Sequence, residues 1–176
     1  ENEREVKALD TLRHDAVDGI ILIATFFTPE HQAVLDSLKI PVVILGQQYG
    51  GYSSVYHDDF GAARAATAHM LEKGRRAPGF LGATMLDMAV GQARRAQQLL
   101  ERDPGINCLF CATDTIAIGA LQYCRSHGLR VPEDIMIATV GDSRAGRVAY
   151  VPLISVHLHY RTAGDKAARL LLEMLA

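Results

Sequence analysis

Short, unbroken apolar runs alternate with amphipathic stretches along almost the whole chain, and this alternation limits the folds open to it more than any other feature. The runs are Val17 to Ala24 (VDGIILIA), Ile40 to Leu45 (IPVVIL), Pro78 to Leu81, Asn107 to Ala112, Asp134 to Val140 and Ile154 to Leu158, with a shorter strand at Ser54 to Tyr56 after the Gly-rich loop Gly46 to Ser53. A strand buried on both faces reads this way, and parallel sheets bury both faces. Between the runs the period changes. Val6, Leu9 and Leu12 share one stripe of a helix from Glu3 to Arg13. Thr28, Pro29 and Glu30 are N-cap, first position and first-turn acid of a helix that ends at Lys39. Asp58 opens and Gly74 closes another. Further helices begin near Asp87 and span Thr113 to His127, Ser143 to Tyr150 and Tyr160 to Leu175. Strand and helix in turn predict an α/β fold, with parallel sheets covered by helices on both faces. The rhythm breaks twice. A helix comes first with no strand before it, and between Phe80 and Phe110 a helix start (Asp87 to Arg95) runs into a helix end (Ala96 to Arg102). Residues are expected to be lacking at both places.

Composition narrows the function classes. With 176 residues, 49% hydrophobic and 22% charged, the chain is neither disordered nor a disulfide scaffold. A net charge of −2 gives no basic footprint for binding nucleic acid by charge alone. No apolar run approaches the roughly 20 residues that span a bilayer, and the charged opening ENEREVKALDTL shows no signal peptide. A cytoplasmic chain is expected. Three cysteines fit reduced thiols in a core. Cys108 and Cys111 lie three apart on one strand and so point to opposite faces, which argues against a shared metal or redox site.

The candidate chemistry sits at strand ends. In CATDTIAIGAL a buried strand stops, Thr113 and Asp114 follow, and an apolar helix starts at once. Asp142 follows Gly141 after another strand, and Asp58 with Asp59 follows a third. In open α/β sheets the carboxyl edge is where ligands bind. Each acid could equally be a helix cap; three together suit a polyol, whose hydroxyls take charged acceptors. Arg94 and Arg95 suit a clamp on hydroxyls or a phosphate, or else a solvated helix face. His57, His157 and His159 come without a third ligand at metal spacing. No GxGxxG, GxxxxGK[ST] or Gly-x-Ser-x-Gly is present, so neither a cofactor nor catalysis is expected.

In order along the chain stand VDGIIL, IPVVILG, the Asp-x-x-Gly of Asp58 to Gly61 with AHMLEKGRR, FLGA, ATDTIAIGAL, LRVPEDI and TVGD. This series resembles the effector-binding core of the LacI/GalR transcription repressors, which shares its fold with periplasmic sugar-binding proteins. The resemblance implies two lobes with the chain crossing between them: residues 1–56 in the N-lobe, 57–153 in the C-lobe, and 154–176 returning to the N-lobe. It implies that a sugar or sugar phosphate closes the lobes and changes operator binding through a helix-turn-helix head not present in this sequence. A periplasmic sugar-binding protein of a transporter is the alternative. The family's cleft arginine falls on Arg94 or Arg95, its Asn-Asp pair is Thr113-Asp114, and its Gly-aromatic-Asp-Asp stretch is shortened to Gly141-Asp142. That short form, together with Asp58-Asp59, the Arg94-Arg95 pair and CATDTIAIGA, looks most like the trehalose-type repressors, which respond to trehalose 6-phosphate. A homodimer is expected too. Ile118, Leu121 and Gln122 extend the apolar surface of the Thr113 to His127 helix beyond the side facing the sheet, and the resemblance places Tyr150 nearby.

Overall fold

The computed structural model describes residues 2–14, 17–23, 26–82 and 92–176. The elements follow the apolar rhythm: α1 (Asn2–His14), β1 (Ile20–Leu22), α2 (Pro29–Ser37), β2 (Val42–Gly46), β3 (Ser53–Tyr56), α3 (Asp59–Glu72), β4 (Pro78–Leu81), α4 (Gln92–Arg102), β5 (Cys108–Cys111), α5 (Asp114–Ser126), β6 (Met136–Gly141), α6 (Arg144–Arg147), β7 (Ile154–His157) and α7 (Tyr160–Leu175). The expected helix start at Asp87 lies outside the described residues. All strand pairs are parallel, β1-β2-β3 in one sheet and β4-β5-β6-β7 in the other. Among the described residues no helix is long and apolar enough to cross a membrane.

The chain divides into two compact units, residues 1–57 with 159–176, and residues 58–158. In the first, Leu35 of α2 packs on Ile20, Val42 and Ile44, while α7 packs on β2 and β3 and buries Ala163 and Ala167. Thr28 caps α2 as its sequence signature requires. Its backbone N–H donates to Nδ1 of the buried His31 (3.2 Å), the reciprocal half of a capping box.

In the second unit each face of the sheet has its own core. Cys108, Met136 and Ala138 meet Ala66 and Met70 of α3 on one side. Leu109, Cys111 and Ile137 meet α4 and α5 on the other, where Ile116 and Leu121 each contribute roughly 1.5–3 kcal/mol by burial. Cys108 and Cys111 thus lie on opposite faces, as their spacing predicts.

Two expectations need correction. Residue 154 is not a return point, because β7 pairs in parallel with β6 from Ala138↔Ile154 to Gly141↔His157. Ile154 and Val156 find apolar cover there beside Met70 and Ala138, and the unit ends after Leu158. Its other boundary falls one residue later than expected, at 57/58. The second correction concerns Leu121, which is 1% exposed and sits in the core. The outer side of α5 is covered within the same unit by Ala96 and Leu100 of α4, so its all-round apolar pattern does not call for a partner. Ile118 is half-buried and Gln122 exposed. Tyr150 is half exposed; its Oη donates to the Leu121 carbonyl (2.7 Å) and the Arg125 guanidinium lies 5.2 Å above its ring.

The three thiols test this packing. All are buried and free, and burial pushes Cys111 up to about 12 and Cys124 to about 11, with Cys108 raised as well. Alkylation of the native chain at about pH 8 should therefore be slow, rising to three equivalents only on denaturation. Rapid labelling of the native protein would show the core to be looser than described.

Candidate ligand site

Parallel strands bring their carboxyl ends to one edge, and in the second unit that edge collects Gly82, Thr113, Asp142 and His157. Asp58 belongs to the same side, since α3 runs into β4 and so begins near the strands' carboxyl ends. Its side chain caps α3 by accepting from Gly61 N–H (2.8 Å). A Cβ at position 61 would fall 2.2 Å from the Asp58 carboxylate, which explains the Asp-x-x-Gly spacing. Thr113 is the N-cap of α5 and its Oγ1 accepts from Ile116 N–H (3.4 Å).

Asp114 does not present its carboxylate to a ligand. It is 4% exposed, and both oxygens are engaged inside the unit. Oδ2 accepts from Ser143 N–H, and Oδ1 accepts from the Ser155 hydroxyl (3.0 Å). Ser155 Oγ in turn accepts from Asp142 N–H (2.8 Å). Asp114 and Ser155 thereby consume both backbone donors of a turn in which Gly141 has φ 134° and Asp142 φ 53°. Aspartate tolerates that left-handed conformation better than most side chains. Ser143 then caps the short α6, accepting from Gly146 N–H (3.2 Å).

The turn leaves Asp142 half-buried at the edge. Arg147 Nε donates to its Oδ1 (2.7 Å) and Arg147 Nη2 to its Oδ2, which also meets His157 Nδ1 (2.9 Å). The guanidinium beside it holds the Asp142 carboxyl below its ordinary range, with a smaller contribution from His157, and Asp142 raises Arg147 in return. Asp142 accepts three hydrogen bonds here, and a carboxylate has about four lone-pair sites. What faces solvent is a carboxylate with one site to spare beside two nitrogen-rich side chains.

The two arginines part company. Arg95 is nearly buried and its Nη1 donates to the Gly82 carbonyl (2.8 Å), tying α4 to the end of β4. With Phe80, Gln98 and Arg102 it lines an open groove of about 360 Å³ along that edge strand. Arg94 is exposed on α4. Gly82 lies two strands from Asp142, about 10 Å at ordinary strand spacing, so the arginines and Asp142 are not joined in one contact.

Ser155, Arg147 and His157 complete the site. Only the histidine stood out in the sequence, as a residue near a strand end. Ser155 carries no local signal, because the register of β7 on β6 brings it under the turn.

Residues 60–176 match the family described as periplasmic binding protein-like domain. The chain belongs to this family. As a periplasmic-binding-protein-like domain it is similar to the HTH-type transcriptional regulator TreR of Salmonella typhimurium, 27% identical over 194 residues, which cover 95% of this chain and 60% of that regulator. A PurR-family transcriptional regulator from Vibrio parahaemolyticus superposes with TM-score 0.81 at 27% identity, over 100% of this chain and 79% of the other. A complex of the transcriptional regulator CelR with cellobiose shares the fold, with TM-score 0.88 at 24% identity over 99% and 64%. These relatives bear out the resemblance to the LacI/GalR effector-binding core. The chain spans about three fifths of the length of the curated relatives it matches. The 194 aligned positions exceed the residues this chain supplies, so TreR carries residues inside the aligned span that have no counterpart here.

Acid titration tests the pairing at Asp142. Its folded carboxyl lies below the ordinary 3.8, so the pairing stabilises the fold above about pH 4 and is lost as pH falls through the folded value. The urea midpoint of wild type should exceed that of Asp142→Asn at about pH 6, with the gap closing at strongly acidic pH, once the folded carboxyl is protonated. An equal gap at both values would mean that the ion pair contributes nothing.

Proposed function

We propose that this chain is the effector-binding core of a bacterial LacI-type transcription regulator. It binds a sugar or sugar phosphate at the carboxyl edge of its second sheet, and binding alters operator affinity through a DNA-binding head elsewhere in a longer protein. The observation that carries the reading is Asp142, presented on a left-handed turn with Arg147 and His157 on its carboxylate. Such a set offers an acceptor and several donors to the vicinal hydroxyls of a sugar.

The relatives support regulation over transport. TreR is named as a transcriptional regulator, and a sucrose operon repressor of Staphylococcus xylosus is 25% identical over 97% of this chain. The proposed site is Asp142, Arg147 and His157, with Asp58 on the same side of the unit and Arg94 or Arg95, from α4, as the further contact. Thr113 shapes the edge as a cap, and the role is binding without turnover. The reading places the protein in the cytoplasm as a homodimer, with the half-buried Ile118 and the exposed Gln122 and Tyr150 in its contact.

Calorimetry of the 176-residue chain against cellobiose, sucrose and trehalose 6-phosphate tests the reading. At least one sugar should bind, and Asp142→Ala should weaken it about tenfold or more through loss of charge-assisted hydrogen bonds. Arg94→Ala and Arg95→Ala decide which arginine takes part. Binding that survives Asp142→Ala and both arginine variants unchanged would remove the site from this edge.

A further inference from the structure

We infer that Ser155 and Asp114 are positioning residues for the effector site, acting on the ligand only through the turn that presents Asp142. The inference rests on the proposed function for its ligand, but its geometry stands apart from any ligand. The three groups form a relay whose polarity is fixed. The Asp142 N–H can only donate and the Asp114 carboxylate here accepts, so the Ser155 hydroxyl must accept from one (2.8 Å) and donate to the other (3.0 Å). The second carboxylate oxygen takes the next amide of the turn, Ser143 N–H. Two consecutive amides are thus pinned, and the residue between the pins and the open edge is the one with φ 53°.

The surroundings leave the relay little room. Asp114 is fixed from below as the first residue of α5 behind the Thr113 cap. From above, Gly146 of α6 packs so closely that a Cβ there would meet the Asp114 carboxyl at 3.0 Å. Ser155 is fixed by the β6–β7 register, opposite Thr139. An asparagine in place of Asp114 keeps the shape but not the chemistry. Its oxygen can serve Ser155 or Ser143 but not both, so either Ser143 N–H meets an amide donor or the Ser155 hydroxyl loses its acceptor.

The test uses the 176-residue chain with Ser155→Ala, Ser155→Thr and Asp114→Asn. Carboxyl-carbon NMR of Asp142 and the three-bond amide coupling of Asp142 report its ionisation and its φ without any sugar. In Ser155→Ala and Asp114→Asn the coupling should leave the left-handed value, and the carboxyl should titrate closer to 3.8. Ser155→Thr, which keeps the hydroxyl, should restore both. A loss of packing alone would not be rescued in this way. Circular dichroism confirms that each variant is folded, and if Asp114→Asn is not, the Ser155 pair decides. Wild-type readouts in folded Ser155→Ala overturn the proposal. Titration with cellobiose and sucrose then extends the test: affinity should fall roughly tenfold in Ser155→Ala and return in Ser155→Thr. If the NMR readouts move as expected while Asp142→Ala binds these sugars like wild type, the relay stands and the placing of Asp142 in the sugar site fails.

Discussion

A carboxylate that is 4% exposed must have its oxygens satisfied inside the protein, and the carboxyl edge of the second sheet is arranged around Asp114 meeting that requirement. Its two partners come from different elements, Ser143 before α6 and Ser155 on β7. The bonds therefore join α5, the end of β6 and β7 in one unit. Removing the carboxylate would strand a backbone N–H and leave a hydroxyl without its acceptor, each costing on the order of 1–3 kcal/mol. The parallel ladder brings the strand ends together; Asp114 determines what the chain does after it leaves them.

The consequence for binding is a division of labour between two acids that look alike in sequence. Asp114 is consumed by the scaffold, which leaves Asp142 to meet solvent in the company of Arg147 and His157. The Arg147 guanidinium favours the ionised carboxylate, and its two hydrogen bonds with that from His157 orient it before any ligand arrives, so less ordering is left for the ligand to bring about. Arg95 behaves like Asp114. Its hydrogen bond to Gly82 fixes the start of α4 against β4, and Arg94, one residue earlier, is the exposed member of the pair.

Much of this was legible in the sequence because parallel strands impose a pattern on their own residues. Val42, Val43 and Ile44 are all buried because both faces of β2 are covered, and their unbroken run says so. Thr28-Pro29 and Thr113 announce their helices through caps that act within three residues. The role of Asp114 was not legible. A cap, a ligand contact and a scaffold carboxylate share one local signature, and the partners that decide among them lie 29 and 41 residues away. Leu121 fails for a similar reason, since a helix pattern records that a face is covered but not that α4 covers it. The sheet to which β7 belongs is likewise set by its partner β6 and not by Ile154 to His157 themselves.

Amide hydrogen exchange at Asp142 and Ser143 reads the central interaction directly. If the buried carboxylate organises the edge, both amides exchange slowly in the wild type, as hydrogen-bonded groups do. In Asp114→Ala both should exchange at loop rates while Thr139, in the middle of β6, stays protected. Fast exchange of Asp142 and Ser143 in the wild type, or slow exchange that survives Asp114→Ala, would contradict the account.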